Sequence, residues 1–210
     1  MIYAENILIC IAVPLAFALM FLRGAVRRFD FSFLSGMVTC LLAAYIGGFF
    51  TQLSGMSTED ISVFLSPVIE ESMKLLPVLF YLILFEPGDT ELLQAAVGIG
   101  AGFATFENCC YVLTSGAQNL SYVLIRGAAV GVMHIVSMVA LAVGMHLLKR
   151  YKVFNFSGIV GALSLAMTFH ATYNLLVSEP GLSTYVGYAL PLLSALLLYS
   201  QTRGYLEKGE

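Results

Sequence analysis

The chain has 210 residues, of which 59% are hydrophobic and 11% are charged, and its formal net charge is −3. A mean hydropathy of +0.88 and a charged share far below the roughly 25% of soluble domains exclude a soluble globular protein. The chain has no basic stripe, which excludes nucleic acid as a partner. We therefore expect a protein that lies in a lipid bilayer.

Seven apolar stretches are long enough to cross the hydrocarbon core of a bilayer, which needs about 20 residues in a helix. In chain order these predicted spans are Ile2–Leu22, Phe31–Leu53, Ile61–Phe85, Leu92–Leu113, Tyr122–Leu148, Phe156–Val177 and Tyr185–Ser200. The connections are short and leave no room for a soluble domain. The predicted fold is an all-α, polytopic membrane helix bundle of about seven transmembrane helices, formed by residues 1–210 as one domain.

The charged residues between the spans predict the orientation of the bundle. With seven crossings, all the basic loop residues fall on one side: Arg23, Arg27, Arg28, Lys149, Arg150, Lys152, Arg203 and Lys208. The opposite loops carry acidic residues and neither Lys nor Arg. Because basic loops remain cytoplasmic, we expect the N-terminus outside and the C-terminus in the cytoplasm, in a multi-pass protein of the cell membrane.

The third predicted span carries three charged residues, Glu70, Glu71 and Lys74. An ionisable side chain near the bilayer centre costs about 2.5–3.5 kcal/mol on insertion scales, so such residues mark functional sites. Lys74 is three and four residues from the two glutamates, so it can reach both across one helical turn. One cation beside two carboxylates leaves an excess negative charge, which suits a general base better than a simple ion pair.

The next two spans add further polar residues. In the fourth, Glu107 is followed by Asn108, and Tyr111 is one turn away, where its phenol can orient the Glu107 carboxylate. In the fifth, Arg126 lies near the outer end and His134 lies two turns deeper. These residue types are the ones that perform proton transfer and hold anionic groups in hydrolytic sites.

The sixth span places His170 and Asn174 one turn apart on one helix face, where both can donate hydrogen bonds to an oxyanion. The depth of these polar residues in the bilayer indicates whether their helices can form one site. At 1.5 Å per residue, Glu70 lies roughly 14 Å from the outer end of its span, and Glu107 and His170 roughly 10 Å. His134 lies deeper, at roughly 18 Å by the same count. We therefore expect one cavity that opens toward the extracytoplasmic side.

These motifs resemble the PrsW family of intramembrane proteases and, more distantly, the CAAX-protease and bacteriocin-processing superfamily. The matching segments, in order along residues 61–177, are Glu70-Glu71-Ser72-Met73-Lys74, Phe106-Glu107-Asn108-Cys109-Cys110-Tyr111, His134 with Ser137, and His170 with Asn174. The resemblance implies a single transmembrane protease domain. It also implies cleavage of a single-pass membrane protein, an anti-sigma factor, near its extracytoplasmic side.

Two mechanisms of peptide hydrolysis are open for these residues. In the first, Glu70 and His134 activate water, His170 and Asn174 stabilise the oxyanion, and Lys74 holds Glu71. In the second, zinc is held by residues drawn from a four-member set, Glu70, Glu107, His134 and His170, as in other catalytic zinc sites. The polar residues are spread over several helices without a His-Glu-x-x-His spacing, so we favour metal-free hydrolysis by glutamate-activated water.

For the catalytic set we predict Glu70, Glu71, Glu107, His134, His170 and Asn174. As supporting residues we predict Lys74, Asn108, Tyr111 and Arg126. Two other functions remain open, because buried Glu, His and Lys residues also build proton relays. These alternatives are a proton-coupled transporter and a non-catalytic membrane binding protein. The polar residues are confined to the outer half of the bundle, which argues against a proton relay across the membrane.

Overall fold

A computed structural model of the chain describes residues 4–115, 119–153 and 156–206, which form helices and no strand. The α-helices are α1 (Ala4–Ala18), α2 (Gly24–Ser54), α3 (Thr58–Asp60), α4 (Ser66–Phe85), α5 (Asp89–Ser115), α6 (Leu120–Ile125), α7 (Gly131–Arg150), α8 (Phe156–Ser178) and α9 (Leu182–Leu206). Two π-helical segments, Ile61–Leu65 and Arg126–Val130, join α3 to α4 and α6 to α7. The prediction of an all-α helix bundle is confirmed.

Five of the helices in the described ranges are long and apolar enough to cross a membrane. Their spans are Gly24–Ser54, Asp89–Thr114, Leu120–Arg150, Phe156–Ser178 and Leu182–Arg203. Helix α4 has 20 residues but carries the three charged residues of the third predicted span, and α1 has 15 described residues. The chain is thus a multi-pass membrane protein, whereas the count of seven and the orientation stay predictions. Ile2, Asn155 and Lys208, which the predicted spans and loops include, lie outside the described residues.

Local sequence signals set the boundary between α2 and the helix that carries the acidic pair. Helix α2 ends at Ser54 and is capped by Gly55, whose φ of 64° is left-handed and suits a residue without Cβ. Ser57 caps the next helix, because its hydroxyl accepts a hydrogen bond from the Asp60 backbone N–H at 3.1 Å. Pro67, in the first turn of α4, has no N–H to donate and therefore fits this position.

Glycines let α5 pack directly against α2 and α7. A Cβ atom at Gly36 of α2 would overlap the backbone of Ile99 on α5, and one at Gly102 would overlap that of Phe33. On another face of α5, a Cβ at Gly100 would lie 2.8 Å from the backbone oxygen of His134. Backbone contact of this kind is typical of membrane helices with small residues at the interface. It holds His134 of α7 against the middle of α5.

One end of the bundle is filled by apolar side chains from α4, α5, α7 and α8. This apolar cluster consists of the buried residues Leu75, Val78, Leu82, Leu92, Ala96, Ile99, Met138, Leu141, Ala142, Met145 and Ala162. The charged residues of α4 and α7 lie just before this cluster in each helix, so the polar and apolar regions are adjacent in the interior.

Candidate functional site

The ionisable residues that the sequence singles out meet inside the bundle. Six residues from α4, α5, α7 and α8 form this polar cluster: Glu70, Glu71, Lys74, Glu107, His134 and His170. Their helices run in alternating directions, so the contact arises from similar depth in the bundle and not from closeness in sequence.

Glu71 and Lys74 form the buried base of the polar cluster, and both are 0% exposed. Glu71 Oε1 accepts hydrogen bonds from Lys74 Nζ at 2.5 Å and from His170 Nδ1 at 2.8 Å. The Ser137 hydroxyl donates to the same oxygen at 3.3 Å. These contacts place Glu71 behind His170, where it orients the imidazole ring. In a neutral His170 ring the proton is therefore on Nδ1, and Nε2 keeps a free lone pair.

His134 bridges the buried base and Glu107. Its Nδ1 lies 3.1 Å from Lys74 Nζ, and its Nε2 lies 2.8 Å from Glu107 Oε2. An ammonium group has only donors, so Nδ1 must accept, and the hydrogen-bond network assigns the proton to Nε2. The ring also packs edge to face against His170, with ring centroids 5.1 Å apart. The two histidines therefore have opposite tautomers, each set by a residue of α4.

Arg126 neutralises the outer side of Glu107. Its Nη2 lies 3.4 Å from Glu107 Oε1, and its Nε donates to Asn108 Oδ1 at 3.1 Å. The guanidinium carbon lies 3.8 Å from the ring centroid of Tyr111, in a cation–π contact. The sequence predicted that Tyr111 would orient Glu107 directly. In the structure its ring instead contacts Arg126, which in turn contacts Glu107.

Asn174 lies near His170 but is engaged with backbone. Its Nδ2 donates a hydrogen bond to the carbonyl oxygen of Ser62 at 2.8 Å. Ser62 belongs to the π-helical segment before α4, and Arg126 begins the one before α7. Short π-helical insertions occur frequently at functional sites because they redirect side chains and carbonyl groups. The carboxamide keeps a second N–H that this bond does not use.

Many of these polar residues line a cavity of about 290 Å³. Its lining includes four members of the polar cluster, Glu70, Glu107, His134 and His170, as well as Arg126 and Asn174. Glu70 Oε2 is buried and has no hydrogen-bond partner, and it lies 3.9 Å from His170 Nε2. A buried carboxylate oxygen without a partner is costly, so this atom is suited to bind a water molecule, a proton or a metal ion.

Three residues of the cavity have the chemistry of a metal site. Glu70, His134 and His170 each offer one donor atom, and these atoms all lie within 4.8 Å of one another. Two histidines with one carboxylate are a common catalytic zinc set, in which the donors are about 3.3 Å apart around the ion. The hydrogen bond from His170 to Glu71 matches the carboxylate–histidine pairing that orients metal-bound imidazoles.

The donor set therefore fits a divalent metal ion, with one adjustment at His134. Both of its nitrogens are engaged, so coordination would displace its contact with Glu107 or with Lys74. Binding at Nδ1 would displace Lys74 and keep the hydrogen bond from Nε2 to Glu107, whereas binding at Nε2 would move the ring proton to Nδ1 and lose both contacts. Glu107, which the sequence included among the metal ligands, hydrogen-bonds the ring of His134 and is absent from this donor set.

Sequence reasoning did not assign a role to Ser137, although it noted this residue after His134. Ser137 is fully buried, its single hydroxyl hydrogen is shared between Glu71 Oε1 and the carbonyl oxygen of His134, and its oxygen lies 3.4 Å from Lys74 Nζ. Its place three residues after His134 was the available signal, since that spacing puts both side chains on one helix face. The π-helical segment at Arg126–Val130 had no such signal.

Comparison with known proteins gives one match. The family model described as PrsW family intramembrane metalloprotease matches residues 26–199, which is most of the chain and includes every residue of the polar cluster. Neither the curated proteins nor the solved structures contain a match to the chain.

Proposed function

We propose that this chain, which belongs to the PrsW family of intramembrane metalloproteases, uses its polar cluster to cut a membrane-anchored protein near the extracytoplasmic side of the bilayer. Membership makes the chain a peptidase whose surroundings are lipid and whose substrate is a membrane protein. The position of the cut, the residues that perform it and the substrate class belong to the proposal. The family match over residues 26–199 supports a single protease domain.

One observation carries this proposal: two carboxylates and two imidazoles border a single cavity in an otherwise apolar bundle. Lipid and apolar side chains cannot solvate these groups, so their burial is costly unless they are used or paired. Glu71 and Lys74 pair with each other and hold the two imidazole rings from behind. Glu70 and Glu107 remain at the cavity, where they can act on a peptide group.

We assign a metal ion to Glu70, His134 and His170, whereas the sequence alone favoured metal-free hydrolysis. The donor set and the family's description as metalloproteases support the change. When bound there, such an ion supplies a Lewis acid that makes water a nucleophile near neutral pH. Glu71 serves as a positioning residue because it sets the tautomer and orientation of His170, and Lys74 holds Glu71 in place.

The proton chemistry belongs to Glu107 in this proposal. Its carboxylate borders the cavity and accepts the proton that water loses as the water oxygen bonds to the peptide carbonyl carbon. It then donates that proton to the leaving nitrogen as the C–N bond breaks. Arg126 balances the charge of Glu107, and the unused N–H of Asn174 can donate to the carbonyl oxygen that becomes negative.

For the substrate we propose a single-pass protein of the cell membrane that resembles an anti-sigma factor. The motif resemblance supports this class. The predicted orientation supports a cut near the extracytoplasmic side, because the site lies in the half of the bundle opposite the basic loops. The short loops leave recognition mainly to the membrane-spanning helices.

The test is to reconstitute the full chain in lipid vesicles with a candidate single-pass substrate and to map the cut by mass spectrometry. We expect one cut in the outer part of the substrate's membrane anchor. Glu70→Gln should abolish this cleavage without unfolding the protein, whereas Glu179→Gln, in an exposed loop, should leave it unchanged. Full activity of Glu70→Gln, or a cut confined to the cytoplasmic side, would contradict the proposal.

Metal dependence has its own measurement. Elemental analysis of purified active protein should find about one divalent transition-metal ion per chain, and His170→Ala should lose it. Purified protein that cleaves its substrate while carrying no metal would return the mechanism to glutamate and water alone. The peptidase assignment would be unaffected.

A further inference from the structure

A second cavity, of about 340 Å³, adjoins the active-site cavity on its α2 side. It lies among α1, α2, α4 and α5 and extends away from the histidines. The two cavities have these lining residues in common: Ile61, Ser66, Glu70, Glu107 and Tyr111. The two acidic residues at the cavity therefore stand at the junction, with the imidazoles on one side and this second cavity on the other.

Small residues of α2 form the wall of the second cavity opposite the acids. They are Ala43, Ala44, Gly47 and Gly48, which occupy one stretch of the helix. An added Cβ atom at either glycine would have no atom within 4 Å, so nothing in the described chain fills this space. The glycines here do not serve close helix packing, in contrast to Gly36 in the same helix.

The second cavity also opens on the surface of the bundle. Ala44 and Gly48 line it and are exposed, and they lie in the last third of α2, a helix that is long and apolar enough to span the membrane. The surroundings of this opening are therefore lipid. A segment that arrives sideways from the bilayer can reach the junction at Glu70 and Glu107 from here.

The chemistry of the cut determines the form in which a substrate binds. Peptide hydrolysis needs an accessible peptide group, whereas the backbone groups of an α-helix are hydrogen-bonded along the chain. The substrate segment at the junction is therefore unwound, and the second cavity, of about 340 Å³, has room for an apolar side chain beside it.

We propose that the second cavity is a specificity subsite that binds an apolar side chain next to the cleaved bond, from an unwound part of the substrate's membrane anchor. This inference rests on the proposed function. The small residues of α2 set how large that side chain can be. Its apolar character follows from the alanine, glycine and phenylalanine lining and from the lipid through which it arrives.

The test uses three variants, Gly47→Ala, Gly47→Val and Gly47→Leu, in which the side chain at this position becomes larger step by step. Each variant of the full chain is reconstituted with a panel of substrates that carry Ala, Leu or Phe on either side of the cleaved bond. Because filling a subsite discriminates by size, we expect Gly47→Leu to lower cleavage of the Leu or Phe substrates at least about tenfold relative to the Ala substrate. Gly47→Ala should give a smaller shift in the same direction.

Gly161→Leu is the matched control. Gly161 lies on α8, has no atom within 4 Å of an added Cβ, and lines neither cavity. The Gly161→Leu variant should therefore retain the wild-type preference among the substrates of the panel. The subsite proposal is overturned if every Gly47 variant keeps the wild-type preference among the substrates. It is also overturned if the Gly47 variants and Gly161→Leu lose cleavage equally for all substrates. If Gly47→Leu does not fold, the profile of Gly47→Ala decides. Wild-type protein that cleaves no member of the panel overturns the proposed function as well, whereas wild-type cleavage without the size shift overturns the subsite alone.

Discussion

Helices α4 and α7 each contribute side chains to two different buried regions, one polar and one apolar. Their first halves carry the polar cluster, with Glu71, Lys74 and His134, and their second halves carry the apolar cluster, with Val78 and Leu141. Both regions are almost fully buried. In the apolar cluster each side chain makes many weak contacts, so the loss of one is graded. In the polar cluster every group except Glu70 hydrogen-bonds a specific partner, so the loss of one of these groups leaves another buried and unpaired.

The largest effect should come from removing the buried cation. Lys74→Met leaves Glu71 and His134 without their common donor, and breaking a buried ion pair in this way costs about 3–5 kcal/mol. We expect lower thermal stability in detergent and no cleavage. The double variant Lys74→Met with Glu71→Leu should regain much of the stability, because it leaves no unpaired charge. It should remain inactive, because His170 loses its acceptor. A stable and active Lys74→Met protein would contradict this comparison, because the polar cluster would then tolerate the loss of one group as the apolar cluster does.

Glu107→Gln should affect activity much more than folding. The amide keeps the shape of the side chain but cannot take the proton of water, and such a loss is worth about 10²–10⁴-fold in rate. When the ion binds His134 at Nδ1, Glu107 still accepts from the Nε2–H of the ring, so metal affinity should also fall about 10–100-fold. Single-turnover cleavage and metal content measure the two effects separately. A rate within a fewfold of wild type would exclude Glu107 as the base.

In the apolar cluster, Leu141→Ala should cost about 2 kcal/mol, at the low end for buried leucines. Leu141 is 1% exposed and has no polar partner to leave behind. Thermal unfolding should show the loss, while the cleavage rate per folded molecule stays at the wild-type value. A selective loss of catalysis would show that the apolar cluster transmits its packing to the histidines.

The smallest effect should be that of Ser137→Ala. The hydroxyl adds one hydrogen bond to a Glu71 oxygen that two stronger donors already hold. Its removal should therefore cost about 1 kcal/mol in thermal stability. The cleavage rate should change by less than it does in Glu107→Gln. A larger effect than that of Leu141→Ala would mean that Ser137 positions Lys74.

Much of this site was predictable from the spacing of polar residues in apolar spans. Glu70, Glu107, His134 and His170 each interrupt a stretch that could otherwise cross the bilayer, and residue counts alone predicted similar depths. The contact of Lys74 with Glu71 followed from their three-residue separation. The contacts of Tyr111 and Asn174 were not predictable, because their partners lie on α6–α7 and on the segment before α4. Nor did the sequence indicate the second cavity, which forms only where four helices diverge.

By itself, the sequence determined that this protein is a multi-pass helical bundle with a buried set of acids and imidazoles. The bilayer demands long apolar helices and makes every exception conspicuous. The tertiary structure alone decided which of two adjacent glutamates faces the cavity and which one holds His170. Neighbouring residues point about 100° apart on a helix, so the outcome depends on the rotation of α4. Packing against α2, α5 and α8 sets that rotation, and no local pattern in the sequence specifies it.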